Sequence, residues 1–146
     1  MADVAIDSSV AAKWVLPESD TAEAQAILIS AGQAGSRLRV LDIGVAEVAN
    51  AIWVRCIRGL ISATEADELL SDFLVLPLEI VPSRDLLPEA MRLSVRYRIA
   101  IYDSLFVAPA AAGQTSGVSA DEPLVKEVKA DFPRIHLLRQ WPAVGP

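Results

Sequence analysis

Four carboxylates stand where predicted strands end or predicted helices begin: Asp7, Glu47, Asp103 and Asp121, here called the acidic quartet. Carboxylates that converge repel one another, and this repulsion raises their pKa values. A hard divalent cation with oxygen ligands relieves the repulsion. The quartet therefore indicates a Mg²⁺ or Mn²⁺ site and, through that site, phosphate chemistry.

Taken singly, each carboxylate also has a purely structural explanation. Asp7 and Asp103 could cap the helices that follow them, and Asp121 could be a turn or cap residue. Glu47 lies on the polar side of an amphipathic helix, where most glutamates are solvated. Asn50, one turn further on, could hold the Glu47 carboxylate or a bound water. The residues alone leave both interpretations open.

The helix that carries Glu47 continues with two arginines on the same stripe. Arg55 and Arg58 could reach the phosphate backbone of RNA from there. A solvated helix face is the simpler explanation for both side chains.

The chain contains one cysteine and one histidine, which excludes several kinds of site. Cys56 alone cannot form a disulfide or a cysteine-ligated zinc site within one chain, and we predict that it packs on an apolar helix face. His136 alone excludes a two-histidine ribonuclease and a multi-histidine zinc site. No nucleophile-elbow sequence accompanies His136, so we predict a structural role for it. Catalysis based on histidine or cysteine is therefore excluded.

The chain of 146 residues is rich in apolar residues and acidic overall. Hydrophobic residues make up 53%, which fits an α/β core rich in alanine and valine, an apolar partner interface, or both. The net charge of −6 argues against broad electrostatic binding of nucleic acid, although a bound divalent ion would offset part of it locally. No signal peptide or membrane-spanning run is recognisable. We expect a cytoplasmic protein without membrane contact.

Strand patterns alternate with helix patterns along the chain. We predict strands at 4–6, 38–41, 78–81, 116–119 and 135–138, and helices at 8–15, 21–31, 45–57, 62–73, 86–97, 102–108 and 122–130. This alternation predicts an α/β fold, with a parallel sheet covered by helices on both faces. We expect a single domain over residues 1–140 and a tail over 141–146. In such sheets the ligand site lies beyond the carboxyl ends of the strands, where Asp7 and Asp121 are predicted to lie.

Three segments resemble motifs of the PIN-domain ribonucleases, and among these of the VapC-type toxins of bacterial toxin–antitoxin pairs. They are residues 4–14 (VAIDSSVAAKW), 46–53 (AEVANAIW) and 101–108 (IYDSLFVA). A fourth segment, residues 119–124 (SADEPL), stands where the family has a Thr or Ser two places before its last Asp. In this order the four motifs span nearly the whole chain.

The resemblance implies a PIN-like three-layer sandwich with a mostly parallel central sheet. It implies that the acidic quartet lines a groove that binds Mg²⁺ or Mn²⁺, with Ser119 as a supporting hydroxyl. Asp7 and Asp103 lie at junctions of secondary structure, so we expect them to be the direct ligands, and we expect Glu47 and Asp121 to bind through water, to orient it or to act as the base. The implied activity is a metal-dependent endoribonuclease that cleaves RNA by attack of water and acts as a toxin. The implied partners are RNA, a cognate antitoxin and a second copy of the chain in a homodimer. A PIN-like binding or regulatory protein without significant catalysis is the alternative.

The chain departs from the family pattern after the third motif. Pro109 lies where the helix from Asp103 should continue, and a proline inside a helix typically costs about 3 kcal/mol. Residues 115–118 form a poor strand pattern, where the family has a more apolar one. We therefore expect the helix to kink or end early and the strand before Asp121 to be loosely specified. This would leave Asp121 less firmly positioned than Asp7.

Overall fold

The structure, a computed structural model, describes residues 3–111, 113 and 115–141. Within this part of the chain the strands form one sheet and comprise β1 (Val4–Ile6), β2 (Leu38–Leu41), β3 (Leu78–Val81), β4 (Ser116–Ser119) and β5 (Ile135–Leu137). Their order across the sheet is β3-β2-β1-β4-β5, and every neighbouring pair is parallel. The predicted α/β fold with a parallel sheet is confirmed, and each strand lies within one residue of its predicted bounds.

The helices pack on both faces of this sheet. They are α1 (Ser8–Ala11), α2 (Thr21–Ala34), α3 (Asp42–Ile57), α4 (Ala63–Leu74), α5 (Leu87–Tyr97), α6 (Ile101–Ala111) and α7 (Glu122–Val128). Short 3₁₀ segments lie after α1 (Ala12–Trp14), before α5 (Ser83–Leu86) and after β5 (Leu138–Gln140). Helix α4 begins with the capping box expected from its sequence, in which Ser62 and Glu65 bond each other's backbone N–H groups.

Two hydrophobic clusters, one on each face of the sheet, make the fold a three-layer sandwich. Val4 and Ile6 of β1 belong to the cluster that includes α1, α2 and α3. Ala5 belongs to the other cluster, which includes buried residues of α5, α6 and α7. Successive side chains of a strand point to opposite faces, so even the short β1 contributes to both cores. Because β1 is the central strand, Asp7, which directly follows it, lies at the middle of the sheet's carboxyl edge.

Helix α3 begins at Asp42, directly after β2 and earlier than predicted. Val48 and Ile52 are buried, as the predicted apolar face requires. A helical wheel of residues 45–57 predicts Trp53 and Ile57 on this same apolar face, but they are 56% and 65% exposed. The prediction was wrong for these two because α3 packs against α1, α4 and β2 along a narrower stripe than the helical wheel suggested.

Helix α6 continues past Pro109 to Ala111, so the expected early end of this helix is wrong. The buried residues of the helix around the proline are Leu105, Phe106, Val107, Ala108 and Ala110. Burial of aliphatic and aromatic side chains contributes about 1.5–3 kcal/mol each. This burial outweighs the hydrogen bond that proline cannot make.

Strand β4 is held on both sides, so the expectation of a loosely specified strand is also wrong. It pairs with β1 and β5, and all its residues are buried. A Cβ atom built at Gly117 would lie 2.7 Å from Cδ1 of Ile135 and 3.0 Å from Cζ of Phe106. The small residues of β4 therefore reflect the close approach of α6 and β5, and they fix the strand that leads to Asp121.

Gly117→Ala is expected to destabilise the protein by about 1–3 kcal/mol, because the added methyl group overpacks this contact. The matched control is Gly32→Ala in α2, where nothing lies within 4 Å of the added Cβ atom. Alanine in a helix interior should stabilise the control by roughly 0.5–1 kcal/mol. Urea denaturation measures both changes, and shifts of the same sign would contradict the close approach.

The described chain ends with Trp141 packed on the fold. The rings of Trp141 and His136 meet edge to face, with centroids 5.2 Å apart. His136 is buried in β5, in keeping with its predicted structural role. Residues 142–146 of the predicted tail lie outside the described residues. No helix among those the structure describes is both long and apolar enough to cross a membrane.

Candidate active site

The acidic quartet converges on one open cavity of about 800 Å³ at the carboxyl edge of the sheet. Asp7 follows β1, and Asp121 lies just beyond the adjacent β4. Glu47 comes from the second turn of α3, and Asp103 from the first turn of α6. All four side chains line the cavity, together with Asn50. The structure therefore brings together the residues predicted from the sequence.

Asp7 is held by two hydroxyl groups at the base of the cavity. Its Oδ2 accepts hydrogen bonds from Ser9 Oγ and Ser119 Oγ, each at 2.7 Å. Asp7 stands at the N-cap position of α1, but its side chain makes no capping hydrogen bond. Protein atoms surround its carboxylate closely, and this desolvation raises the pKa of Asp7 despite the hydroxyl hydrogen bonds that lower it. The capping explanation is therefore wrong for Asp7.

Each of these two hydroxyls also accepts a hydrogen bond from a backbone N–H group. Ser9 Oγ accepts a hydrogen bond from the N–H of Ala120, and Ser119 Oγ accepts one from the N–H of Asp121, both at 3.0 Å. Each hydroxyl can then donate its proton to Asp7. This network ties the end of β1 to the loop that carries Asp121.

Sequence analysis found Ser119 but missed Ser9. The available signal was symmetry, since Ser9 stands two places after Asp7 and Ser119 two places before Asp121. The partners of Ser9 in the site come from far along the chain, so their contact could not be inferred from local pattern.

The pKa values of Glu47 and Asp103 are both raised, as expected where several carboxylates lie close together. Partial desolvation raises the pKa of Glu47, and the charges of Asp7 and Asp103 raise it further, while the nearby Ser8 side chain lowers it. Desolvation likewise raises the pKa of Asp103, with added contributions from the charges of Asp7 and Asp121. Helix α6 begins at Ile101, so Asp103 lies in its first turn and is not its cap.

Asp121 combines two roles. Its Oδ1 accepts a hydrogen bond from the N–H of Leu124 at 3.2 Å, which caps helix α7. The capping explanation thus holds for Asp121, and the same side chain lines the cavity. Its charge contributes to the raised pKa of both Asp7 and Asp103.

The quartet fits a hydrated divalent cation better than a fully protein-ligated one. Across residues 3–111, 113 and 115–141, no three acidic, histidine or cysteine side chains are already arranged to hold a metal ion. The donors are nevertheless all carboxylate oxygens, and they suffer a mutual repulsion that a cation would relieve. Mg²⁺ prefers such donors and keeps several waters, so one or two carboxylates suffice to bind it.

A buried lysine next to the quartet was missed by the sequence analysis. Lys13 lines the cavity with only 8% of its side chain exposed. Its Nζ lies 3.1 Å from Glu18 Oε2 and donates a 2.8 Å hydrogen bond to the carbonyl of Ser19. The only sequence signal was a lysine within the otherwise apolar first motif.

The two arginines predicted to bind RNA are placed differently. Arg55 Nη2 lies 3.4 Å from Glu18 Oε1 and donates to the carbonyl of Pro17, so the protein itself engages this side chain. Arg58 is exposed beyond the end of α3 and does not line the cavity. The structure does not bring either arginine to the carboxylates.

Both the sequence and the fold of this chain are similar to those of known proteins. The family profile of the PIN domain matches residues 4–129, which include the whole quartet. Ribonuclease VapC3 of Pyrobaculum aerophilum is 28% identical over 105 residues, covering 70% of this chain and 77% of that protein.

Two solved structures share the fold. PAE2754 from Pyrobaculum aerophilum aligns with a TM-score of 0.68 at 16% identity, covering 94% of this chain and 90% of that chain. A toxin–antitoxin complex from Klebsiella pneumoniae aligns with a TM-score of 0.60 at 14% identity, covering 93% and 98%. At these identities the two structures are similar to this chain in fold.

Proposed function

The chain belongs to the PIN-domain family, and from that premise we propose that it is a metal-dependent endoribonuclease. The observation that carries the proposal is the convergence of the acidic quartet on one open cavity at the carboxyl edge of the sheet. The similarity to Ribonuclease VapC3 supports RNA as the substrate. The reaction would be hydrolysis of a phosphodiester bond by water, since the cavity lining contains neither histidine nor cysteine.

Asp7 and Asp103 would hold a Mg²⁺ or Mn²⁺ ion directly, with Glu47 and Asp121 binding through water. When bound, such an ion polarises a phosphate oxygen and lowers the pKa of a water molecule. Ser9 and Ser119 keep the Asp7 carboxylate in place by donating to its Oδ2.

Glu47 would supply the base. It lines the cavity from the second turn of α3, and a carboxylate there would remove a proton from the attacking water. Asn50, one turn along α3 and also in the cavity lining, would orient that water.

The ends of the RNA products test this reaction class. Incubation of circular and end-labelled RNAs with the protein and Mg²⁺ should give internal cuts whose ends are a simple phosphate and a free hydroxyl. Single 2′-deoxy substitutions at the cut should be tolerated, because water and not the 2′-hydroxyl is the nucleophile. Cyclic 2′,3′-phosphate ends would contradict hydrolysis by water.

The biological role that fits this activity is that of a cytoplasmic toxin controlled by an antitoxin. The similarity to Ribonuclease VapC3 and the shared fold with the Klebsiella toxin–antitoxin complex support this role. Exposed apolar side chains such as Trp53, Ile57 and Val75 offer surface for an antitoxin and for a homodimer. Expression of the chain alone should arrest growth, whereas co-expression of the product of an adjacent short reading frame should restore it.

A PIN-like binding protein without significant catalysis is the second candidate. One observation favours it, namely that no group of three ligands is already arranged for a metal in the part of the chain that the structure describes. The two candidates differ in metal binding, which the last experiment of the Discussion measures.

A further inference from the structure

A second cavity adjoins the acidic quartet on the side of helix α5. It shares Asp103 and Asp121 with the main cavity and extends from them to Arg98. Glu127 of α7 also contributes to its lining. The two cavities therefore form one groove, here called the extended groove, which passes over the carboxylates and continues to Arg98.

Arg98 is one of the few cations that the protein leaves unengaged. Among the lysines and arginines, only Arg58, Arg84 and Arg98 make no ion pair or side-chain hydrogen bond with another described residue. The neighbouring Arg92 and Arg96 of α5 both pair with carboxylates. Of the three unengaged arginines, Arg98 is the one that lines the extended groove.

The backbone of Arg98 adopts a conformation in which arginine is an unfavourable choice. Its φ of 57° and ψ of 43° are left-handed, and it directly follows the last residue of α5. Glycine is the usual residue at this kind of helix end, because a Cβ atom is strained there. The helix dipole favours a cation at this end, yet it does not require a residue with a side chain in a left-handed conformation. Such a strained residue beside a functional groove indicates a role for its side chain.

We propose that Arg98 binds a phosphate of the RNA backbone next to the phosphodiester that is cleaved. The second cavity is then a subsite for the nucleotides on that side of the cut. The inference rests on the proposed function, since it takes RNA as the ligand.

The charges along the groove support a single backbone contact at this place. The net charge of −6 and the carboxylates of the quartet repel RNA, which is a polyanion. A cation along the path of the RNA therefore has a large effect on binding. A guanidinium group matches the geometry of phosphate oxygens and donates two hydrogen bonds to them. Among the residues that the structure describes, the other charged ones that line the second cavity are Asp103, Asp121 and Glu127. Arg98 is therefore the one cation in this described lining that can bind a phosphate.

Arg98→Gly tests the subsite because it removes the charge and suits the left-handed backbone. The melting temperature should equal or exceed that of the wild type. The KM for a fluorescently labelled single-stranded RNA should rise roughly tenfold, as loss of a charged hydrogen bond implies. The kcat should stay nearly unchanged, and the slope of log KM against log salt concentration should fall by about 0.7, the value for one phosphate contact of a single strand.

Two further variants separate a phosphate contact from other effects. Arg84→Ala removes the same charge from an exposed, unengaged arginine outside the extended groove, and its KM and salt slope should equal those of the wild type. Arg98→Lys keeps the charge and should restore most of the salt slope.

The outcomes distinguish failure of the subsite from failure of the proposed function. An unchanged KM and salt slope in Arg98→Gly, with wild-type cleavage intact, would overturn the subsite alone. If Arg98→Gly lowers the melting temperature and leaves the salt slope unchanged, Arg98 serves to cap the helix. If Arg84→Ala changes KM and the salt slope as much as Arg98→Gly does, the effect comes from the overall charge of the protein. Both results would overturn the subsite. A wild-type protein that neither binds nor cleaves RNA would overturn the proposed function and the subsite together.

Discussion

Asp7→Asn is expected to lower the rate of RNA cleavage by at least about a hundredfold. Substitution of a residue that only hydrogen-bonds to a metal ligand already lowers metal affinity or activity by about 10–100-fold, and Asp7 would be a ligand itself. Asparagine keeps the size of the side chain but removes the charge that would bind a cation. End-labelled RNA incubated with each protein in Mg²⁺ measures the rate. The matched control is Asp72→Asn, which makes the same change at an exposed position of α4 and should leave the rate unchanged.

The same substitution should stabilise the protein when no metal is bound. Desolvation raises the pKa of Asp7 in the folded protein. A carboxyl group with a raised folded pKa contributes stability below its unfolded pKa and loses that contribution as the pH rises through the folded value. At neutral pH the ionised Asp7 therefore destabilises the fold, and asparagine relieves this. In EDTA the variant should melt at a higher temperature than the wild type.

Added Mg²⁺ should stabilise the wild type alone, because a ligand that binds only the folded state raises its stability by mass action. The gap between the two melting temperatures should therefore narrow or reverse as Mg²⁺ is added. Cleavage by Asp7→Asn at the wild-type rate would refute the assignment of the site, whatever the melting temperatures.

Loss of the hydroxyls that hold Asp7 is expected to have the second-largest effect. Ser9→Ala and Ser119→Ala should each reduce cleavage by about 10–100-fold and raise the Mg²⁺ concentration needed for half-maximal rate. Each substitution removes a donor to Asp7 Oδ2 and also the acceptor of a backbone N–H. The double variant should lose less than the product of the two single losses, because both hydroxyls act on one oxygen.

Conservative and remote substitutions control for this second prediction. Ser119→Thr keeps the hydroxyl and should retain most of the activity. Ser71→Ala removes a serine from the exposed face of α4 and should change nothing. An unchanged Mg²⁺ requirement in both Ser9→Ala and Ser119→Ala would contradict their role in holding Asp7.

The strand and helix positions were predictable because they depend on local pattern. The apolar runs at 4–6 and 78–81 and the capping residues before α4 sufficed to place their elements. The quartet was predictable for a related reason, since the ends of parallel strands meet at one edge of a sheet. The match of the motifs to one family added the order in which the acids occur.

What escaped prediction depends on contacts between distant parts of the chain. Ser9 Oγ accepts a hydrogen bond from the N–H of Ala120 only once the sheet has formed. Ser9 directly follows another serine, and its immediate neighbours in the sequence do not indicate this hydrogen bond. Strand β4 looked weak because Gly117 has no side chain, but Phe106 and Ile135 occupy the space a side chain would need. Trp53 was misplaced because its exposure depends on how α3 packs against its neighbours.

Calorimetric titration with Mn²⁺ tests the central claim most directly, because it measures the cation site without any assumption about the RNA. The wild type should show saturable binding, Asp72→Asn should bind equally, and Asp7→Asn should bind far more weakly. Absence of binding by the wild type at millimolar Mn²⁺ would contradict the claim that the acidic quartet forms a metal site. That result would favour a PIN-like binding protein without significant catalysis.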